Sequence, residues 1–376
     1  MRARDHGIVL GVGRPGPFNA VTDVDGVCVG HTTLVSGDGP LVVGSGPVRT
    51  GVTVVLPHPG RPSTEPVFAG YHRLNGFGEL TGLEWMRESG LLTSPIGLTN
   101  TGSVGTVRDA IIRRDATEPG RVPILLPVVG ETWDGLLNDI TGQHVHPEHV
   151  DAAFAAASSG PVAEGNVGAG TGLQCYGFKG GIGTASRVVS LPDAEYTVGV
   201  LVQANHGDRR TFEVNGVPVG QILDRDAVPL PIPPEVPGYA PGTGSVITVV
   251  ATDAPLLPHQ LNRLAHRAGL GISKFGARGD NYSGDLVVAF STAAHGLPDM
   301  GPGMRTPAEL TVSMVALAFM DRLFSGVIEA TTEAILNAML QAETMTGRDG
   351  ITLHAVGGDR LAEVLDRYDR RVFSPV

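Results

Sequence analysis

The chain contains a set of short, largely apolar segments, several of them rich in β-branched residues. Seven of them predict strands: Val27–Val29, Gly51–Leu56, Ile124–Val129, Thr184–Val189, Tyr196–Ala204, Ser245–Ala251 and Asp285–Ser291. Continuous apolar strands belong in sheets that are covered on both faces. The 53 glycines and 28 prolines punctuate these segments instead of forming repeats, which indicates many short elements joined by tight turns.

Segments with helical apolar spacing supply the cover that such sheets need. They predict helices at Glu79–Glu88, Val104–Ile112, His149–Ala157 and Leu257–Ala268, and two packed helices between Pro307 and about Glu343. In the last region, Gly326 and the charged Asp321 and Arg322 argue against a membrane span. The chain is therefore predicted to be an α/β protein built in layers.

One long linker, Pro229–Gly244, carries six prolines and has no periodicity. Taken as a domain boundary, it leaves a carboxy-terminal piece with two strands and a few helices, too little to fold alone. We therefore expect one domain over residues 1–376, interrupted by a linker that is open to cleavage.

Charge and composition limit the partners of the chain. The formal net charge is −11, which repels phosphate backbones and favours amine-bearing ligands. No nucleic acid and no membrane partner is expected, and a cytoplasmic location follows from the lack of a signal-like apolar run at the start. The two cysteines, Cys28 and Cys175, are predicted to be buried thiols.

A histidine cluster is the one candidate metal site. It comprises His144, His146, Glu148 and His149. Pro147 and Glu148 also suit the first turn of a helix, and the spacing matches no standard metal site. We therefore predict no metal and no organic cofactor.

Two glycine-rich runs, Glu164–Gly172 and Gly177–Ser186, permit two interpretations. Their backbone N–H groups are able to cradle an anion, or the glycines serve close packing against other backbone.

The linker ends in Gly244-Ser245, where Ser245 opens a strongly apolar strand. Attack of the Ser245 hydroxyl on the preceding carbonyl, followed by ester hydrolysis, would split the chain there. The new chain end would carry a hydroxyl nucleophile and an α-amine. Since the reference pKa of such an amine is about 7.7 to 8, it can serve as a general base near neutrality.

Longer matches resemble a known family. The segments Gly165–Val189, Ser245–Leu261 and Tyr282–Ala293, with the shorter blocks Asn19–His31 and Glu79–Gly82, resemble the L-aminopeptidase/D-esterases and β-peptidyl aminopeptidases. The resemblance implies a four-layer α/β/β/α sandwich, similar in layers to N-terminal nucleophile hydrolases but differently connected. It also implies cleavage at Gly244–Ser245 into an α chain 1–244 and a β chain 245–376. A homo-oligomer, a tetramer or octamer of cleaved heterodimers, is expected.

The resemblance also implies catalytic roles for four residues. Ser245 would be the nucleophile, and Asn205 would donate its amide N–H to the oxyanion. Ser283 and Asp285 lie two apart at a strand start, so we expect both to point toward Ser245. Ser283 would form a hydrogen bond with the amine or hydroxyl of Ser245. Asp285, which is a glutamate in some members, would orient Ser283 and Ser245. Without the resemblance, Asn205 is explained as a turn residue, and Ser283 and Asp285 as a turn and the start of a strand.

Two further residues are expected at the substrate. The family places an aromatic residue near the nucleophile, here Trp133. Glu131 is then a candidate anchor for the free amine of a substrate, since a carboxylate facing an ammonium favours chain ends. A solvated acid is the other interpretation of Glu131.

The predicted activity is hydrolysis of amino-terminal residues from short peptides, amino-acid amides or esters. An acyltransferase of the ornithine acetyltransferase type is the rival within the fold, but those enzymes use threonine. A non-catalytic sandwich that binds a small anion in its glycine-rich loops is the rival from another class.

Overall fold

A computed structural model describes residues 1–116, 125–230, 243–293, 297–298 and 307–373. The strands in these ranges are β1 (Cys28–Ser36), β2 (Val48–Leu56), β3 (Val67–Gly76), β4 (Leu91–Leu92), β5 (Ile96–Asn100), β6 (Val128–Thr132), β7 (Gln174–Cys175), β8 (Phe178–Lys179), β9 (Gly181–Ser190), β10 (Glu195–Asn205), β11 (Gly244–Thr252), β12 (Ser283–Ser291), β13 (Met345–Thr346) and β14 (Thr352–Leu353). The α-helices are α1 (Leu83–Ser89), α2 (Val104–Asp115), α3 (Pro147–Ala155), α4 (Val219–Ile222), α5 (Pro258–Ser273), α6 (Met320–Leu340) and α7 (Gly358–Asp366).

Two stacked sheets form the centre of the fold. The strand orders are β4-β3-β12-β11-β10-β9 in the larger sheet and β1-β2-β5-β6 in the smaller one. Helices α5 and α6 cover the outer face of the larger sheet, and α2 and α3 cover that of the smaller sheet. The predicted α/β/β/α sandwich is confirmed.

Strand β11 shows why its sequence is apolar without alternation. Val246 and Val250 pack toward the helices, while Ile247 and Val249 pack toward the smaller sheet. β11 lies between β10, to which it is antiparallel, and β12, to which it is parallel. Because both faces are buried, both faces require apolar side chains. Strand β10, which precedes Gly244, and strand β11, which begins there, are thus neighbours in one sheet.

The region between Pro307 and Glu343 differs from its prediction. It contains one α-helix, α6, preceded by a 3₁₀ turn at Leu317–Phe319, and not two packed helices. Gly326 lies within this helix. Its missing side chain permits close approach of the helix to the larger sheet, since a Cβ there would lie 3.0 Å from the Val189 side chain. Leu317–Leu340 is long and apolar enough to cross a membrane by length and composition, but 78% of its apolar window is buried.

Other elements match less closely at their ends or were not predicted. Ile124 and residues 231–242 of the linker lie outside the described residues, and β6 begins at Val128. Strands β3 and β5 were missed. In β3 the apolar pattern is interrupted by His72, Arg73 and Asn75, which occupy a half-exposed strand at the rim of the larger sheet.

The glycine-rich runs pack backbone against backbone. A Cβ at Gly170 would lie 2.3 Å from the Ile182 nitrogen, and one at Gly181 would lie 2.2 Å from the Gly165 oxygen. The packing interpretation therefore accounts for these glycines. Both cysteines are free thiols, with Cys175 buried and Cys28 only half-buried.

Candidate active site

A cavity of about 760 Å³ opens where β11 begins and β10 ends. Five residues named from the sequence line it: Glu131, Trp133, Asn205, Gly244 and Ser245. They come from the ends of three strands, one in the smaller sheet and two in the larger. The stacking of the two sheets thus assembles the cavity.

Asn205 and Ser245 are direct partners across the antiparallel pair of β10 and β11. The Asn205 Oδ1 accepts a hydrogen bond from the Gln174 nitrogen at 2.9 Å, and its Nδ2 donates to the Trp133 carbonyl at 3.0 Å. These two bonds fix which end of the amide is the donor. Among the described residues, the second Nδ2 hydrogen has no partner, so it is available to an oxygen in the cavity.

Glu131 is a buried carboxylate, only 4% exposed, that borders the same cavity. Its Oε1 accepts a hydrogen bond from the Glu79 nitrogen at 2.9 Å, and its Oε2 accepts one from the Thr101 hydroxyl. Burial raises the pKa of Glu131, and these two donors oppose the rise. The interpretation of Glu131 as a solvated acid is therefore wrong: its carboxylate is fixed and largely removed from water.

Gly244 fits tightly between its neighbours. Its nitrogen donates to the Tyr282 carbonyl at 3.3 Å, and a Cβ would lie 2.0 Å from the Asn205 carbonyl oxygen. Any side chain at this position would collide with the backbone of β10. The peptide bond before Ser245 is thus held against the strand that supplies Asn205.

Ser283 and Asp285 form a hydrogen-bonded pair at the start of β12. The Ser283 hydroxyl donates to Asp285 Oδ1 at 2.6 Å. The parallel register sets Ser245 beside Gly284 and Val246 beside Asp285. Since successive side chains alternate, the pair emerges on the helix-covered face while the Ser245 side chain emerges toward the smaller sheet. Ser283 and Asp285 therefore share one face, as expected, and their action on Ser245 stays a prediction.

This pair lies beside the main chain next to Ser245, since the Asp285 carboxylate accepts a hydrogen bond from the Val246 nitrogen. Ser283 is in register with Gly244, the residue that carries the bond to the Ser245 nitrogen. Asp285 is 1% exposed, and burial raises its pKa to about 6. A carboxylate and a hydroxyl therefore lie behind the sheet at the point where a new amino terminus would form.

Three aromatic side chains shape the mouth of the cavity. Trp133 is 38% exposed, and Phe77 and Tyr282 are more exposed still. The rings of Phe77 and Tyr282 meet edge to face with centroids 5.4 Å apart. The mouth is therefore suited to apolar groups.

Sequence reasoning assigned no role to Gln174 and Thr101, which fix the orientation of Asn205 and Glu131. Gln174 acts here through its main-chain nitrogen, which a residue type cannot reveal, although it lies in the matched block Gly165–Val189. Thr101 follows β5, a strand that the apolar pattern did not reveal.

Part of the histidine cluster forms the start of a helix, as the positions of Pro147 and Glu148 suggested. His144 Nε2 lies 2.8 Å from Asp139 Oδ2, and Pro147 and Glu148 occupy the first turn of α3. Across the parts of the chain that the structure describes, no group of three or more histidine, cysteine or acidic side chains is placed to hold a metal ion.

Comparison with known proteins gives consistent matches over almost the whole chain. The profile of peptidase family S58 matches residues 19–353. The β-peptidyl aminopeptidase BapA of Sphingosinicella microcystinivorans is 48% identical over 376 residues, covering 98% of this chain and 93% of that protein.

Two solved structures are also similar. A β-aminopeptidase from Burkholderia sp. gives a TM-score of 0.90 at 48% identity, covering 98% of this chain and 99% of the other. The L-aminopeptidase D-Ala-esterase/amidase from Ochrobactrum anthropi gives 0.89 at 41% identity, covering 99% of each chain. The latter is described as a prototype of the serine aminopeptidases and a variant of the Ntn hydrolase fold. The predicted resemblance and fold class are confirmed.

Proposed function

The chain belongs to peptidase family S58, and from this membership and its site we propose a self-processing aminopeptidase whose nucleophile is the amino-terminal Ser245. It is a serine-type aminopeptidase by the same relationships. The substrates we propose are short peptides, amino-acid amides and esters with a free amino end.

One observation carries the proposal. Ser245, the amide of Asn205 and the carboxylate of Glu131 border one cavity. These are a hydroxyl, an oriented N–H donor and a buried anion, which acyl transfer from an amine-bearing substrate requires together.

Maturation would use the same hydroxyl that later attacks the substrate. Ser245 Oγ attacks the Gly244 carbonyl carbon, the carbon–nitrogen bond breaks, and the nitrogen takes the proton. The resulting ester is hydrolysed by water, which leaves a carboxylate on Gly244 and a free amine on Ser245. Strand β11 would keep its place, because it is hydrogen-bonded to β10 on one side and to β12 on the other.

Catalysis then proceeds from the new terminus. The ammonium of the substrate pairs with Glu131, and its carbonyl carbon meets Ser245 Oγ. The Ser245 amine accepts the hydroxyl proton, and the second Nδ2 hydrogen of Asn205 donates to the oxyanion. The leaving amine takes the proton and departs, and water hydrolyses the acyl-enzyme.

Ser283 and Asp285 are positioning residues in this scheme. Ser283 would accept a hydrogen bond from the Ser245 amine, because its own hydroxyl hydrogen is donated to Asp285 at 2.6 Å. A carboxylate behind the sheet also favours the protonated amine that forms during attack. Trp133, Phe77 and Tyr282 would receive the apolar parts of the substrate.

The test is intact-mass spectrometry under denaturing conditions, on the wild type and on Ser245→Ala, beside assays on aminoacyl anilides. We expect two fragments split at Gly244–Ser245 and anilide hydrolysis from the wild type, and one inactive chain from the variant. A single full-length, inactive chain for both proteins would overturn the proposal. Product analysis with an added amine distinguishes hydrolysis from acyl transfer, since a transferase would yield the new amide as its main product.

A further inference from the structure

We propose that Lys179 is a positioning residue for catalysis, which holds the Asn205 amide in its donating orientation through the hairpin formed by β7 and β8. This inference rests on the oxyanion role proposed for Asn205.

Lys179 carries a buried amine that no step of the mechanism uses. Its side chain is 0% exposed, and its Nζ donates to the Gly180 carbonyl at 2.8 Å and to the Gly170 carbonyl at 3.3 Å. Isolating such a group from water is unfavourable unless its hydrogen bonds are made. These bonds therefore constrain where the hairpin lies.

The hairpin contacts Asn205 directly. Gln174 and Lys179 are paired residues of its two strands, and the Gln174 nitrogen donates to Asn205 Oδ1 at 2.9 Å. The Tyr176 nitrogen at its turn donates to the His206 carbonyl at 2.7 Å. The hairpin thus contacts the end of β10 at the Asn205 side chain and at the His206 carbonyl. It holds the amide carbonyl of Asn205 toward Gln174, which leaves the NH₂ group on the side of Trp133, another residue that lines the cavity.

The lysine ties this hairpin to both sheets. Gly180, which accepts one of its bonds, lies against the larger sheet: a Cβ there would fall 2.4 Å from the Ala204 carbonyl oxygen. Gly170, which accepts the other, ends a turn whose Ala169 nitrogen donates to the Thr53 hydroxyl of the smaller sheet at 3.1 Å. Without the amine, the carbonyls of Gly170 and Gly180 would lose the donor that they share.

The amine serves this role in either protonation state. Burial lowers the pKa of Lys179 to about 7, and the nearby Cys175 and Asp134 oppose that shift. A neutral amine still carries two N–H donors, which suffice for the two carbonyls. The proposed role is therefore geometric and does not depend on a titration.

A double-mutant cycle tests the inference. Lys179→Met keeps the length and apolar stem of the side chain but removes the donors. We expect kcat to fall about tenfold with KM nearly unchanged in the wild-type background, and no further loss when Asn205 is already alanine. All values are normalised to processed protein by intact mass. The matched control is Val327→Ala, which shortens a core side chain in α6. At the neighbouring Gly326 this helix packs against Val198, which lies far from Asn205 along β10. The control is expected to lower the melting temperature and to leave kcat unchanged.

The outcomes separate the two proposals. If Asn205→Ala leaves kcat intact, the oxyanion role fails, and this inference falls with it. Two outcomes would overturn only the positioning role of Lys179, provided that Asn205→Ala lowers kcat. In the first, Lys179→Met leaves kcat unchanged. In the second, Lys179→Met lowers kcat by the same factor whether or not Asn205 is already alanine. Lys179→Leu, which also lacks the donors, takes the place of Lys179→Met if that variant does not fold. Failure of both to fold would assign Lys179 to folding and overturn the inference.

Discussion

Asn205 and Ser245 are direct partners across β10 and β11, at the positions where β10 ends and β11 begins. Side chains paired in this way have Cβ atoms about 4.5–5.5 Å apart and share a face of the sheet. The proposed oxyanion donor and nucleophile are thus held by hydrogen-bonded strands and not by loops. Because they lie on opposite sides of the proposed cleavage point, the sheet would preserve their relationship after cleavage.

Replacing Asn205 by alanine tests the oxyanion role. We expect kcat to fall by about 10²–10³-fold, because one oriented donor is removed, with a much smaller change in KM. Steady-state kinetics on an aminoacyl anilide measures both. Asn205→Asp is the companion variant, since it keeps the shape but replaces the donor by an acceptor, and it is expected to be at least as impaired. A loss below about tenfold in both would contradict the role.

Gly244→Ala tests the tight fit at the proposed cleavage point. The new Cβ would lie 2.0 Å from the Asn205 carbonyl oxygen, so the start of β11 must move away from β10. We expect self-processing to slow markedly, as measured by the fraction of cleaved chain over time. Gly105→Ala is the control, because a Cβ at that helical position meets nothing within 4 Å. Equal processing rates for the two variants would show that the fit at Gly244 is not needed.

The layers of this fold could be predicted because its central strands have a strong local pattern. Both faces of β11 are buried, so Val246–Ala251 is apolar apart from Thr248 and can be recognised as a strand. Strand β3 is different: its second half is half-exposed at the sheet rim and carries His72, Arg73 and Asn75, so it has no such pattern. Gly326 was taken as a helix break, but its missing side chain serves packing between α6 and β9.

Some residues of the site could be predicted from the sequence, because their types indicate the chemistry. Their geometry could not, because it depends on the register of the strands. Ser245 and Asn205 were identified, but nothing local shows that they are cross-strand partners. That the Asp285 side chain lies on the opposite face of the sheet from the Ser245 side chain could not be predicted, because the faces depend on a parallel register that long-range pairing sets. The oligomeric state and the cellular compartment stay predictions.

Glu131→Gln tests the amine anchor. The amide oxygen can still accept from the Glu79 nitrogen, and Thr101 can reverse its hydroxyl to accept from the new NH₂, so the local bonds survive. Only the charge is lost, and we expect KM for substrates with a free amine to rise about 10–100-fold. Substrates that are already N-acetylated are the control, and their slow hydrolysis should not weaken further. An unchanged ratio between the two substrate classes would contradict the anchor.

The same carboxylate predicts a pH dependence of KM. Burial raises the pKa of Glu131 above its ordinary value of 4.5, so its charge is lost at a higher pH than for an exposed glutamate. KM for free-amine substrates is therefore expected to rise as the pH falls toward that raised pKa, and this rise should be absent from Glu131→Gln. Kinetics across the acid range measures it. The same rise in the variant would show that another group is responsible.

Asp285→Asn tests whether the carboxylate behind the sheet acts on the Ser245 amine. Burial raises the pKa of Asp285 to about 6, so near neutrality it is ionised and favours the protonated amine. Since the base must be unprotonated, kcat should decline as the pH falls through the pKa of that amine, whose reference is about 7.7–8. Removing the negative charge lowers that pKa, so the decline should move about one pH unit toward acid in Asp285→Asn. Asp285→Glu retains the charge and should leave the decline in place. Identical profiles for wild type and Asp285→Asn would mean that this carboxylate does not act on the amine.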